Sequence, residues 1–468
     1  MEKHKIDVAI AGLLHDIGKL VQRSRDDPWK KPEGYEDEGQ PVHALWSGYF
    51  IKHNIPQDFR AAALHAIYHH QPDKSPAADH SISTLIAVAD KLSAGERADE
   101  QPDAQGSDLP QQMVSIFDRV GAYRTDPKID HHYLLLKRLN LTQEAIFPRQ
   151  VMAKKDRTAA YEALSSEMIS TASKEISDPE TYLESLTADL ELATWCVPSA
   201  FYHNLPDVSL YDHSRMTAAL AVCLSDKAPS HLDAMLDALR NEFAGKASPD
   251  QQKLLDSPAA LLIGGDISGI QKFIYMLSSK QAAKTLRGRS LYLQLLTEAV
   301  LRFVLREMGI PRVNVIYSGG GHFYLLAPLS AAEKISEIQN SITRVLLKHH
   351  GTSLYLALAS TEIPANGFKL GQFPLYWNRM HGALAQAKQR RYSELGAELY
   401  QKVFQPVPHG GNREKTCSVC GEEKEAVTLL KEPTDPTIEA GDRICPLCDW
   451  FNNPLGKYLT QSSFILLE

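Results

Sequence analysis

Residues 313–328 read VNVIYSGGGHFYLLAP. Two β-rich runs, 313–317 and 322–327, flank a tight glycine turn, and that pattern predicts a β-hairpin. Its tip is Gly319, Gly320, Gly321 and His322. On the N-terminal side, RSLYLQLLTEAVLRFVLREMG (289–309) has the apolar spacing of a long amphipathic helix. ISGIQKFIYML (267–277) begins another helix, and ALLIGGD (260–266) is a short apolar strand. On the C-terminal side a helix at roughly 330–350 precedes the strand SLYLALASTEI (353–363). The order β-α-β-β-α-β is the ferredoxin-like arrangement. Residues 375–403 follow as another amphipathic, basic helix.

The chain before this unit is helical in pattern. Residues 1–95 have breaks near 25–41 and 69–80. Residues 99–110, DEQPDAQGSDLP, form an exposed loop, and 111–245 return to helical spacing in ETYLESLTADLELATWC and MTAALAVCL. AGKASPDQQKLLDSP (244–258) marks a boundary. The fold class is therefore α+β: a mostly helical domain, a ferredoxin-like domain and a small cysteine-bearing lobe. A length of 468 residues suits two to four domains of roughly 100–200 residues each. The net charge of −7 gives no global pull toward nucleic acid, so any such contact must come from local basic patches. Acidic residues and a histidine around the first apolar run argue against a secretory signal. No apolar stretch reaches the roughly 18 residues that span a bilayer. A cytoplasmic protein with no membrane partner is expected.

Four of the six cysteines are clustered. Cys417 and Cys420 form one C-x2-C knuckle, and Cys445 and Cys448 form another. Two such knuckles supply the four thiolates of a closed tetrahedral zinc site, which serves folding rather than catalysis. The competing reading is a reactive thiol cluster. Cys196 and Cys223 lie in apolar helical contexts, so a disulfide framework is not indicated.

The sharpest chemical signal is IAGLLHDIGKL (10–20). A buried apolar helix ends in His15 and Asp16, which can both reach one divalent ion. Such an ion lowers the pKa of bound water and clamps a phosphate. HAIYHHQP adds His65, His69 and His70, with His65 and His69 expected one turn apart on one helix face. His43 lies in PVHALWSGYF. LIAVADKLSAGER buries Asp90 in an apolar run, where an unpaired carboxylate is costly. Each histidine alone reads as a surface or core residue, but the set within 90 residues points to a metal site.

This set resembles the HD phosphohydrolase superfamily. In that family a helix of the style H-S-x-x-[TV]-A precedes the His-Asp helix. Here the match, YDHSRMTAALA (211–221) with His213, comes after it. The resemblance implies a circularly permuted HD domain over 1–245, with an insertion or linker at about 100–185. His15, Asp16, Asp90 and His213 would be the metal ligands. His69 and His70 would hold a second metal or the substrate phosphate, and Lys19 would steady the leaving phosphate.

A permuted HD domain, a palm-like domain at 256–405 and a zinc lobe at 410–468 form a distinctive order. With GGDISGIQKFIY (264–275) and KQAAKTLRGRSLYL (280–293), it resembles the large subunit of type III CRISPR effector complexes, Csm subtype, over essentially the whole sequence. Such subunits resemble two facing palms, of which the second makes cyclic oligoadenylates from ATP. The GGGH tip at 319–322 then belongs to the degenerate first palm. Asp266 remains, but the hairpin acids are missing, and two-metal catalysis needs such a pair. Gly264, Gly265, Asp266, Ser268 and Gly269, with Lys280, Lys284, Arg287, Arg289 and Ser290, are candidates to hold ATP near a helix start. The competing reading is a solvated basic face.

Against that family the sequence stops just past the second knuckle. The catalytic palm is therefore expected to be missing, as in a truncated product, a split product or a fragment. The function implied is a metal-dependent single-stranded DNA nuclease of antiviral defence. It would use manganese, nickel or cobalt at the HD site, with structural zinc and ATP on a non-catalytic palm. Implied partners are CRISPR RNA, the guide-RNA-capping and small helical subunits, single-stranded DNA and, indirectly, target RNA. A non-catalytic scaffold and a freestanding nucleotide phosphodiesterase remain alternatives.

Overall fold

The computed structural model describes residues 2–35, 39–76, 81–95, 111–119, 131–200, 206–275, 282–404, 415–423, 428–429 and 443–462. The N-terminal helices are α1 (Lys3–Leu14), α2 (Gly18–Arg23), α3 (Val42–Asn54), α4 (Gln57–Leu64) and α5 (Ser81–Ser93). A 3-10 turn, His65–Tyr68, follows α4. Almost every residue of α1 from Ile6 onward is buried, as expected for a helix that is apolar on all sides and sits at the centre of a bundle.

The next elements are α6 (Gln143–Ile146), α7 (Lys154–Ala172), α8 (Pro179–Thr194), α9 (Leu210–Leu224), α10 (Pro229–Phe243) and α11 (Pro249–Leu255). Helix α9 packs on both α1 and α5, so a late part of the chain completes the first bundle. Gly12 makes the α1–α9 approach possible, because a Cβ there would lie 2.5 Å from the Ala218 Cα. The Ser209 side chain caps α9 by accepting the Asp212 amide. Helix α7 lies within the stretch expected as an insertion, yet it packs against α2 and α3.

The second unit runs β1 (Pro258–Ser268), α12 (Ile270–Tyr275), α13 (Ala282–Met308), β2 (Val315–Gly319), β3 (His322–Ala327), α14 (Ile335–His350), β4 (Tyr355–Pro364) and α15 (Phe373–Gln389). The sheet order is β2-β3-β1-β4, antiparallel throughout, which is the ferredoxin-like topology. Strand β1 is longer than its apolar core suggests because it pairs with β4 along nearly its whole length. Helix α13 starts ahead of the expected residue 289. Helix α15 stops at Gln389 rather than 403, because Tyr392 takes a left-handed φ of 67° and Gly396 one of 54°. Short turns, Ser393–Glu398 and Tyr400–Phe404, fill the remainder.

The last elements are β5 (Thr428–Leu429), β6 (Arg443–Ile444), α16 (Pro446–Trp450) and α17 (Gly456–Tyr458). The bundle and the sheet are joined directly. The Arg215 guanidinium of α9 donates to the carbonyls of Val315 and Ile316. Asn314 donates to Ala219 O at 3.2 Å and to Leu326 O at 2.9 Å. Among the described residues no helix is long and apolar enough to cross a membrane.

Candidate functional site

Helix α1 ends at Leu14, and the chain turns through His15, Asp16 and Ile17 into α2. Gly18 is required at this turn: a Cβ would sit 1.9 Å from the His43 carbonyl oxygen and 2.4 Å from the Ser47 nitrogen. Ser47 Oγ accepts the Gly18 amide at 2.8 Å and donates to the His15 carbonyl at 2.8 Å. The start of α3 is thus clamped onto the His-Asp turn, and His43 comes with it.

His15, Asp16, Asp90 and His213 converge, with ligand atoms all within 4.8 Å of one another. His15 Nε2 lies 3.3 Å from His213 Nε2, 3.4 Å from Asp16 Oδ2 and 3.5 Å from Asp90 Oδ1. His213 Nε2 lies 3.1 Å from Asp90 Oδ1. Each ring is aimed by its other nitrogen. His15 Nδ1 donates to Gly12 O at 2.7 Å, and His213 Nδ1 meets Ser93 Oγ at 3.0 Å. That pattern turns both Nε2 atoms inward, as a hydrogen bond on the far nitrogen does for metal-binding histidines.

A trio of histidines, His43, His69 and His70, adjoins this group of four. His43 Nε2 is 2.9 Å from His70 Nε2 and 3.4 Å from Asp16 Oδ1, and His69 Nε2 is 3.8 Å from the same oxygen. Asp16 therefore faces both groups, one with each carboxylate oxygen. The sequence offers His43 as a candidate ligand without a role, and the α3 clamp brings it here. The expected His65–His69 pairing on one helix face is not formed. Helix α4 ends at Leu64 and a 3-10 turn begins at His65, where three residues per turn replace 3.6. Lys19 is the ion-pair partner of Asp16 Oδ2.

Burial opposes charge on Asp16 and Asp90, but Lys19 and the histidines outweigh it at Asp16, and His15 and His213 outweigh it at Asp90, so both carboxyls lie well below the usual range. Burial also works against a charged His15, yet the Asp16 and Asp90 carboxylates lift it to about 9. Burial lowers His43 to about 3, pushes His69 well down and lowers His70.

Cys417, Cys420, Cys445 and Cys448 bring their sulfurs within 4.8 Å of one another, a set that could hold one zinc ion. The Cys445 amide donates to Cys417 Sγ at 3.3 Å, tying the two knuckles together. Cys196 and Cys223 are buried elsewhere, and burial raises both thiols, that of Cys196 to about 12.

On the sheet, Asp266 pairs in register with His322. Its Oδ2 lies 3.0 Å from His322 Nε2 and forms an ion pair with Lys388 of α15. Ser268 is buried, and its Oγ has no partner among the described residues.

Several of the glycines and cations expected around a nucleotide are held in packing contacts. A Cβ on Gly265 would strike the Phe323 ring at 2.1 Å, and one on Gly269, where φ is +95°, would meet Ser353 O at 2.0 Å. Arg287 donates to Gly456 O at 3.3 Å, and the Lys284 carbonyl lies where a Cβ on Gly456 would fall. Arg289 is 3% exposed and bound to Phe273 O and Cys448 Sγ. The reason is docking: this end of α13 is covered by the C-terminal lobe. Lys280 lies outside the described residues.

The HD domain family matches residues 2–95, and the family described as Csm1 subunit domain B matches residues 259–406. Over 94% of its length the chain is 28% identical to a Methanocaldococcus jannaschii protein named "CRISPR system single-strand-specific deoxyribonuclease Cas10/Csm1 (subtype III-A)", of which it covers 56%. A protein of the same name from Mycobacterium tuberculosis is 29% identical over 100% of this chain, with 58% of the relative covered. The chain thus spans a little over half the length of the curated relatives it matches.

Among solved structures, the "Csm1-Csm4 subcomplex in the type III-A CRISPR-Csm interference complex" superposes with a TM-score of 0.61 at 25% identity, covering 85% of this chain and 50% of that one. A "Csm1-Csm4 cassette in complex with one ATP" has the same score at 23% identity and covers 94% and 55%, a likeness of fold.

Proposed function

Because the chain is a relative of the Cas10/Csm1 proteins of subtype III-A along nearly its whole length, with their HD domain and domain B, we propose that its HD site hydrolyses single-stranded DNA within a type III-A CRISPR defence complex. The observation that carries this reading is the convergence of His15, Asp16, Asp90 and His213. Asp16 Oδ1 and His69 Nε2 are buried beside it with no hydrogen-bond partner among the described residues, an arrangement a bound cation relieves. Imidazoles mixed with carboxylates suit manganese, nickel or cobalt better than magnesium. A metal held there would supply the Lewis acidity that phosphodiester hydrolysis needs.

The residues have distinct tasks. His15 and His213 present Nε2 because their Nδ1 atoms are engaged by Gly12 and Ser93. Asp16 and Asp90 stay ionised and set the charge. His43, His69 and His70 are held neutral by burial. Neutral imidazoles are lone-pair donors, which favours a second cation over direct contact with a phosphate. Lys19, ion-paired with Asp16, is the cation placed to steady a phosphate oxygen.

The palm is assigned nucleotide contact without turnover. Asp266 is already ion-paired with Lys388 and lies 3.0 Å from His322 Nε2, and the GGGH tip carries no second carboxylate. Asp266 and Ser268 remain candidate contacts for ATP, with Lys284 at the margin. The four cysteines hold structural zinc. The proposed partners are a guide-RNA-capping subunit, a small helical subunit, CRISPR RNA and, indirectly, target RNA; the related structures hold Csm1 together with Csm4. The proposed setting is the cytoplasm.

The test is cleavage of labelled single-stranded DNA by the chain with manganese, beside a His15→Ala/Asp16→Ala double variant. Metal-dependent cleavage lost in the variant is expected. Full activity in the variant overturns the site assignment. No cleavage by either, in a folded protein that binds no metal at this site, shifts the reading to a scaffold.

A further inference from the structure

Arg289 sits on α13 and is 3% exposed. Its guanidinium lies 5.1 Å from the Phe273 ring centroid and 5.5 Å from that of Phe451. Nη1 donates to the Phe273 carbonyl, Nη2 donates to Cys448 Sγ at 3.4 Å, and Nε is buried without a partner among the described residues. No carboxylate pairs with it among the described residues. A guanidinium cannot shed its proton, so a buried one needs an anion. Among the described residues, the group bonded to it that can be an anion is the Cys448 sulfur, and it is an anion when it ligates a metal. Four thiolates on one zinc ion leave two net negative charges, which also need compensation.

The surroundings fit a built joint. A Cβ on Gly288 would lie 2.1 Å from Phe451 O, and one on Gly456 would lie 2.3 Å from Lys284 O. Thr285 bonds Asn452, and Arg287 donates to Gly456 O. All these partners lie just after the Cys445/Cys448 knuckle. We propose that Arg289 is the buried countercharge of a four-thiolate zinc centre, and that the loaded centre thereby latches the C-terminal lobe onto α13 of the palm. The proposal rests on the zinc assignment above.

Zinc content of the full chain is measured first, then release of zinc to a chelating dye from wild type, Arg289→Met and Arg289→Lys. The sulfur-to-metal charge-transfer band of the cobalt-loaded proteins is recorded in parallel. One zinc per chain is expected in the wild type. Release from Arg289→Met should be about 10-fold faster or more, with the band moved to lower energy because the thiolate loses its donor. Arg289→Lys should fall between.

Absence of zinc from the wild type overturns the zinc assignment and the proposal with it. Zinc present, but an unmoved band in Arg289→Met, overturns the countercharge alone, even if packing loss speeds release. If Arg289→Met does not fold, Arg289→Lys decides, and wild-type release and spectrum in it overturn the proposal.

Discussion

Asp16 has different company at each carboxylate oxygen: Lys19, His15 and His213 at Oδ2, and His43 and His69 at Oδ1. That placement depends on Gly18, whose missing side chain lets α3 reach the turn. Gly18→Ala puts a methyl into the His43 backbone, so α3 must move. The expected cost is about 1–3 kcal/mol of stability, together with weaker metal binding as His43 retreats. Urea unfolding and metal titration check this, and wild-type values for both would remove the clamp from the account. The same scale shows the limit of reading cations from sequence. Lys284, Arg287 and Arg289 look like a phosphate patch, but a run of positive charge does not say whether it meets solvent, a ligand or a neighbouring lobe.

At the level of elements, α1 and α9 cross where Gly12 meets Ala218. The crossing matters because α1 delivers His15 and α9 delivers His213. Gly12→Ala should destabilise by about 1–3 kcal/mol through overpacking. Gly382 is the internal comparison, a helical glycine of α15 with open space around it. Gly382→Ala should stabilise by about 0.5–1 kcal/mol through lost chain entropy alone. Opposite signs in chemical denaturation are the expected outcome, and equal effects would mean that the α1–α9 approach is not tight. Helix α15 also shows why its end was misplaced: amphipathic spacing continues past Gln389, but the left-handed turn at Tyr392 depends on contacts outside the helix. These include the Tyr355 ring, 5.0 Å away.

At the level of the whole molecule, the buried histidines make stability depend on pH in the metal-free protein. His15 is lifted from 6.5 to about 9, so its contribution is full below 6.5 and is lost as pH rises toward 9. His43, His69 and His70 are lowered, so the unfolded chain takes up protons that the folded one refuses as pH falls below 6.5. Stability should therefore decline on both sides of neutrality. Between pH 6.5 and 5 the loss should shrink in His43→Gln. Thermal unfolding in a chelator across pH 5–9 checks both limbs, and a flat acid limb would contradict the buried, neutral trio.

Local pattern by itself determined a great deal. The βαββαβ order, the glycine hairpin, the paired knuckles and the His-Asp turn are set by period and spacing within short stretches, where chain geometry leaves few choices. His15, Asp16 and Asp90 stand out in their own segments, the HD resemblance adds His213, and the structure brings the four together. Tertiary structure alone decided the rest: that His43 joins His69 and His70, that Lys388 pairs with Asp266, and that Arg289 turns inward to Cys448. These depend on contacts between residues far apart in the chain. A charged or imidazole side chain carries no local mark of which distant partner will bury it.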